Sequence, residues 1–349
     1  MNFRRFLPES VKPVARRVRN AVLGESARPY ISHPEHVSGL LDVALSPTAR
    51  LVIRTVDGKT DGAIALGKGV YIGRNVELAA PADGTLTIGR DTSIQDGCIV
   101  HGHVSIGAHC LFSLNIMVSS TLHRIRDRPA WLIRDQDKLA AQVVYRPADW
   151  SRPIVIDDDC WIGWGAVLMP GVHIGRGAVI GSNCVVTSDI GPYETHGGVP
   201  NRKIGERLKF APPEVLSATN DEHIPYFYCG FHLSQVELAN SRTMGTVHAA
   251  DSAVIVLAAR NKPKLILRGN RRTSEPLSLH LSINGSNAGI HVVGSESFEL
   301  VVEIETVAST NSTPSILQGY TVVEIEALPP RDQASADAPR YELSYALLC

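Results

Sequence analysis

A handful of side chains in this 349-residue chain have the types and settings to do chemistry. His123 ends the run Ile106-Gly-Ala-His-Cys-Leu-Phe-Ser-Leu-Asn-Ile-Met-Val-Ser-Ser-Thr-Leu-His123 and opens a long interruption of the pattern before it. A neutral imidazole titrates near neutrality, so it can take the proton of an attacking hydroxyl. Asp96 offers a carboxylate upstream. Cys160-Trp-Ile-Gly-Trp-Gly-Ala166 sets two indoles, Trp161 and Trp164, among glycines. Gly198-Val-Pro-Asn-Arg-Lys-Ile204 presents Arg202 beside Lys203, and guanidinium and ammonium groups both suit phosphate. His101, His103 and His123 also invite a different chemistry, a metal held by three imidazoles.

A strict repeat positions these residues. From Ile156 the chain runs in sixes, Ile156-Asp-Asp-Asp-Cys160-Trp, Ile162-Gly-Trp-Gly-Ala166-Val, Leu168-Met-Pro-Gly-Val172-His, Ile174-Gly-Arg-Gly-Ala178-Val and Ile180-Gly-Ser-Asn-Cys184-Val. A short fixed period marks a solenoid, and hexads point to a parallel β-helix. Each hexad supplies one short strand and one corner, so three hexads make a triangular coil. The opening aliphatic faces inward. The second inward residue sits near a corner, where there is little room, hence Ala166, Ala178, Cys160 and Cys184. Gly or Asn accepts the backbone angles of the corner. Earlier hexads open at Leu66, Ile72, Ile88, Ile94, Val100, Ile106, Phe112 and Val118. The next opening residue, Ile156, comes 38 residues after Val118 where the repeat asks for six. The β-helix is therefore expected over 63–206, with about five coils and a loop inserted over 124–152. That loop carries Trp131, Tyr145 and Trp150.

A formal charge of −1 gives no global field for nucleic acid. No apolar run is long enough for a membrane span, and no secretory h-region is expected. Cys98, Cys110, Cys160 and Cys184 fall on second inward positions as small apolar fillers, which favours a reducing cytoplasm over a disulfide framework. Residues 1–62 read as an N-terminal helix and an α+β lead-in. The helix is basic, and it admits two readings: a surface helix packed on the solenoid or a neighbour, or a peripheral foothold on anionic lipid of the inner membrane. Residues 207–235 read as a helical linker, with a closing helix over 204–216. Segments between 236 and 349 alternate apolar and polar residues, with a turn at Asn284-Gly285, and are expected to form an antiparallel β-sandwich.

The hexads and their exit resemble the left-handed β-helix acyltransferases, most closely the galactoside, maltose and virginiamycin O-acetyltransferases. The resemblance covers residues 64–206. It implies that His123 is a general base with no covalent intermediate, and that the long loop folds over the acceptor or a neighbouring subunit. It also implies acetyl-CoA as co-substrate. Trp161 and the backbone around Trp164 and Gly165 would then lie along the pantetheine arm. Ser182 and Thr187 would line the same channel, and Arg202 and Lys203 would meet the adenosine phosphates. Asp96 matches a polar residue of the acceptor pocket, though a solvated side chain is an equal reading. Trp161 could equally serve as packing between subunits. The family departs from this chain after His123, where Pro is usual and Arg124 stands, and at Trp164, where a small polar residue is usual.

The expectation is an O-acetyltransferase that acts on a sugar of a surface polysaccharide or its precursor. It would work as a homotrimer with active sites between subunits and with no resident metal. Two rivals stand beside it, a carbonic-anhydrase-like metalloenzyme and a non-catalytic glycan-binding scaffold.

Overall fold

The computed structural model describes residues 28–142, 151–231, 246–258, 263–304, 314–328 and 340–348. The basic N-terminal segment, Tyr145, Trp150 and residues 329–339 lie outside the described residues. No helix among the described residues is long and apolar enough to cross a membrane.

The hexads form a triangular prism with three parallel faces. The first face has seven strands, starting at Tyr30–Ile31 and Arg50–Ile53 and ending at Val167–Leu168 and Val185–Val186. The second has six, from Val37–Ser38 to His173–Ile174. The third has eight, from Ala44–Leu45 through Trp161–Ile162 and Val179–Ile180, and it ends with Glu194–Gly197 and an antiparallel Arg202–Glu206. The prism is longer than the hexads alone suggest. Residues 30–62, read from the sequence as a separate lead-in, form its first layers. Tyr30 pairs with Arg50, Val37 with Ile64 and Ala44 with Tyr71, all in parallel. Their spacing is too irregular to read as sixes, yet Val37, Ala49, Leu51 and Ile53 join the same core.

Burial follows the pattern. Ile72, Ile94, Phe112, Ile162 and Ile180 stack inward, each at most 1% exposed. Cys98, Cys110, Cys160 and Cys184 are buried free thiols, and burial pushes the Cys98 thiol up to about 11. The fourth residue of most hexads turns the corner in the left-handed region, as at Asn115 (φ 58°), Gly165 (φ 67°) and Asn183 (φ 56°). Glycine at 165 has a second cause, because a Cβ there would lie 2.6 Å from Asn183 Oδ1 in the next coil.

The expected helix over 204–216 is absent. Residues 202–206 instead run back along the last strand of the third face. Val215–Ser217 and Phe227–Phe231 join the C-terminal sheet. That sheet is antiparallel throughout, and its main path runs Ser286–Val293, Leu277–Ile283, Thr321–Leu328, Val247–Leu257, Tyr341–Leu348, Lys264–Arg271, Ser297–Glu303. Val247–Leu257 belongs to both halves: residues 247–249 pair with Tyr341–Leu348, and residues 252–257 pair with Thr321–Leu328. Inward side chains of both halves, among them Leu279, Leu281, Ile325, Leu265, Leu267 and Leu343, share one core. The hairpin at Asn284-Gly285 has both residues at positive φ, 50° and 75°, as a tight twisted turn requires.

The β domain is fixed to the corner between the second and third faces. Arg176, 6% exposed, is the centre of the joint. Its Nε donates to Tyr193 Oη (3.0 Å), its backbone N–H to Tyr228 Oη (3.1 Å), and its Nη1 to the Tyr228 carbonyl. Asp158 lies 3.6 Å from the same guanidinium, and Tyr228 Oη donates to Asp157 Oδ2 (2.8 Å). The Phe210 ring bridges Tyr193 of the prism to Tyr226, Tyr228 and Tyr320 of the β domain. None of these contacts involves the first face itself, although Ser315 of the β domain donates to Asp189, just past the last strand of that face.

Candidate active site

The inserted loop leaves the prism at the edge between the first and second faces. Its base is closed by a bridge between Thr121 and Ser151, by Arg152 N–H donating to Ser120 O (2.9 Å), and by the Ser120–Ser151 hydroxyl pair (3.4 Å). Within the loop, Ile133–Gln142 is a helix, α1. Two successive residues of α1 brace the loop. Gln136, only 3% exposed, accepts from Arg128 N–H (3.0 Å) and donates to Trp131 O (3.3 Å). Asp137 Oδ1 accepts from Arg124 N–H (3.0 Å), and its Oδ2 lies 2.7 Å from His123 Nδ1. The Arg124 N–H, working against a burial cost, and the His123 imidazole hold the Asp137 carboxyl below the usual carboxylate range. The His123 side chain itself is 80% exposed. Asp137 was not singled out from the sequence. Its only signal is its position on a short helical stretch, 14 residues past the histidine.

Asp96 is not the partner of His123 within one chain. It turns the corner between the third and first faces, and its carboxylate accepts from Arg74 N–H (2.7 Å) and Nε (2.8 Å). Burial raises this carboxyl, but the Arg74 bonds outweigh it and the net direction is down. The histidines of the metal reading face separate carboxylates: His101 meets Glu77 (3.0 Å), His103 meets Asp83 (3.5 Å) and His123 meets Asp137.

Most of the other candidates gather on that same edge between the third and first faces. Trp161 lies on the third face beside Leu111, and its Nε1 donates to Ser113 Oγ (3.4 Å). Trp164 sits at the corner one coil above Leu114 and one below Ser182, linked by Gly165 N–H to Leu114 O (3.0 Å) and Asn183 N–H to Trp164 O (2.8 Å). Trp161 (51%), Trp164 (47%), Leu111 (55%), Leu114 (45%) and Met117 (46%) are all exposed, so an apolar strip wraps this edge. The strip ends under the exit turn, where Arg202 pairs with Gly197.

The exit turn lies across the top of the first face. Val185 N–H donates to Gly198 O (3.1 Å), and Asn201 N–H donates to Val185 O (2.9 Å). Asn201 is 2% exposed, and its side chain carries the turn. Its Oδ1 accepts from Thr187 N–H (3.0 Å), and its Nδ2 lies 3.1 Å from His196 Nδ1. His196 in turn meets Glu194 (2.9 Å). Lys203 is shared by Glu194 (3.0 Å) and Glu206 (2.9 Å), while Arg202 Nη1 donates to Asn201 O (2.8 Å). Thr187 stands at the far edge of the first face from Ser182, so these two do not line one channel side by side. Asn201 lies inside the exit motif, and a polar residue between Pro and Arg is its only signal in the sequence.

Residues 153–188 match the family of bacterial transferase hexapeptides (six repeats). These residues are bacterial-transferase hexapeptide repeats. The chain is 35% identical over 130 residues to a chloramphenicol acetyltransferase of Escherichia coli, covering 36% of this chain and 58% of that protein. It is 52% identical over 123 residues to a chloramphenicol acetyltransferase of Morganella morganii, covering 34% and 55%. It is 33% identical over 140 residues to the galactoside O-acetyltransferase of Escherichia coli K12, covering 40% and 55%. The chain spans somewhat more than half the length of these relatives.

Proposed function

We propose that this hexapeptide-repeat chain is an acetyl-CoA-dependent O-acetyltransferase of a carbohydrate hydroxyl, in a surface polysaccharide or its precursor. His123 is the general base, and the active site forms between copies of a homotrimer. The observation that carries this reading is the pair of edges bounding the first face. One edge bears an exposed imidazole on a braced loop. The other bears an apolar strip of indoles leading to a basic turn. In one chain the width of the face separates them. Packing that sets one copy's loop edge against another's strip closes the gap and covers the strip.

The chemistry follows from the parts. His123 Nε2 takes the proton of the acceptor hydroxyl as its oxygen attacks the thioester carbonyl carbon. A backbone N–H stabilises the oxyanion of the tetrahedral intermediate. The intermediate collapses with loss of the coenzyme A thiolate, which receives the proton from the imidazolium. Trp161 and Trp164 flank the pantetheine arm, and Arg202 and Lys203 meet the phosphates. The relatives are named for acetyl transfer to chloramphenicol and to a galactoside, which supports an acetyl donor and a hydroxylated acceptor. Buried free thiols suit a reducing cytoplasm.

The test is His123→Ala with labelled acetyl-CoA and a panel of glycans. Transfer should fall by about 10²–10⁴-fold while coenzyme A binding persists. A near-wild-type rate would remove His123 from the mechanism, and an active single-copy species in solution would remove the shared site.

A further inference from the structure

We infer that Asp137 is the positioning residue of the catalytic base: its carboxylate fixes His123 in the Nδ1-protonated tautomer and leaves Nε2 free to accept the acceptor's proton. This inference rests on the reading of His123 as base and adds a second, loop-borne residue to it.

The geometry is specific. The 2.7 Å contact is to Nδ1, and it is made by a carboxylate oxygen, which can only accept while ionised. Nδ1 must therefore carry the proton, and the lone pair of the neutral ring is on Nε2. The other oxygen, Oδ1, is held by Arg124 N–H, the residue next to His123. One carboxylate thus clamps both the ring and the backbone that carries it. The Arg124 N–H and His123 keep this carboxyl below its ordinary range, so it is anionic wherever a neutral imidazole works.

The clamp belongs to the loop alone. Asp137 lies on α1, and Gln136 beside it pins the Arg128–Trp131 turn. The prism contributes nothing to the ring's orientation among the described contacts of His123. The base is therefore set by a residue that a shorter loop would lack. When the proton arrives on Nε2, the same carboxylate faces the imidazolium charge and stabilises it.

The experiment compares kcat, KM and the pH profile of kcat/KM for the full-length wild type, His123→Ala, Asp137→Asn and Asp135→Asn, with calorimetric coenzyme A binding for each. Asp135 sits on the same helix and its side chain pairs with Lys138, so it controls for helix damage. Asp137→Asn can still accept from Arg124 N–H but offers no negative charge to the ring. It should lower kcat by about 10- to 100-fold, less than the roughly 10²–10⁴-fold a general base supplies, because the base itself remains. Coenzyme A affinity should be unchanged, and the acid limb of the kcat/KM profile should move to lower pH. Asp137→Glu should recover part of the rate with the limb unmoved. If His123→Ala is inactive but Asp137→Asn keeps the wild-type kcat and pH limb, the clamp is refuted and the base stands. If His123→Ala is itself active, both fall. A uniform loss of rate with no movement of the limb, accompanied by weaker coenzyme A binding, would make Asp137 a structural brace and refute its role on the ring. Should Asp137→Asn not fold, Asp137→Ser is read by the same outcomes.

Discussion

Arg176 lies 6% exposed between Asp158, Tyr193 and Tyr228, whereas the His123 side chain stands 80% exposed with one carboxylate behind it. Both clusters are ionic and both sit on corners of one prism. Around Arg176 every direction is filled. The guanidinium reaches a carboxylate, a phenol and a carbonyl, and aromatic rings close over the joint. Nothing is left for a substrate. Around His123 one ring nitrogen is held and the other is left facing solvent. Burial raises the Asp158 carboxyl even against the pull of Arg176, whereas Asp137 beside His123 is held below its ordinary range. A buried charge with all its partners present signals a joint, and an aligned group with one vacant atom signals chemistry.

The comparison breaks most readily at Arg176. Arg176→Met leaves the Asp158 carboxylate buried without its counter-charge, and removing one partner of a buried pair costs about 3–5 kcal/mol. Denaturant unfolding should show that loss. The folded fraction, assayed cold, should keep its transfer rate, because the joint lies off both edges of the first face. Retained stability with a rate down tenfold or more would mean that the joint takes part in catalysis, and the contrast with His123 would fail.

A smaller effect tests the exit turn, which lies between the two extremes. Burial alone would raise the Glu194 carboxyl, but bonds from His196, Lys203 and the Gly191 N–H outweigh it and lower it. A carboxyl lower in the folded state stabilises the fold above its unfolded value, and this is lost as pH falls through the folded value. Glu194→Gln should therefore cost about 1 kcal/mol at neutral pH. The gap to wild type should close as pH drops below the ordinary carboxylate range. A gap that stays constant with pH would show that shape, not charge, holds this corner.

The sequence made the prism legible because its period is enforced at every layer. A wrong residue at Ile162 or Gly165 would meet a neighbour one coil away, so each hexad repeats the same instruction. The first layers escaped because strands such as Val37–Ser38 and Ala44–Leu45 are joined by connections without the six-residue spacing. The helix expected over 204–216 failed for a different reason. Residues 202–206 find an open strand edge at Glu194–Gly197, and the pairing outweighs local helical preference. The candidate site was half legible in the sequence. His123, Trp161 and Arg202 stand at repeat boundaries that mark them out. Asp137, Asn201 and Tyr228 act through contacts 14, 14 and 52 residues away, to His123, Thr187 and Arg176, and no periodicity reports such pairs. Asp96 was legible as a corner residue, but Arg74, 22 residues earlier, decides what its carboxylate does.

The smallest effect separates the two basic residues of the exit. Lys203 is already neutralised by Glu194 and Glu206, whereas Arg202 spends one Nη1 on the Asn201 carbonyl and meets no carboxylate among the described residues. A phosphate arriving at this corner gains more from Arg202, because Lys203 must first leave two glutamates. Arg202→Ala should weaken coenzyme A binding about 2- to 5-fold, the size of a solvent-exposed ion pair. Lys203→Ala should do less. Both losses should shrink at high salt, since exposed pairs are screened. Calorimetry with coenzyme A and with its 3′-dephospho form gives the ranking and shows which phosphate is met. A larger loss at Lys203 would mean that the ammonium abandons Glu194 and Glu206 on binding, so that the exit turn, unlike the Arg176 joint, rearranges to do its work.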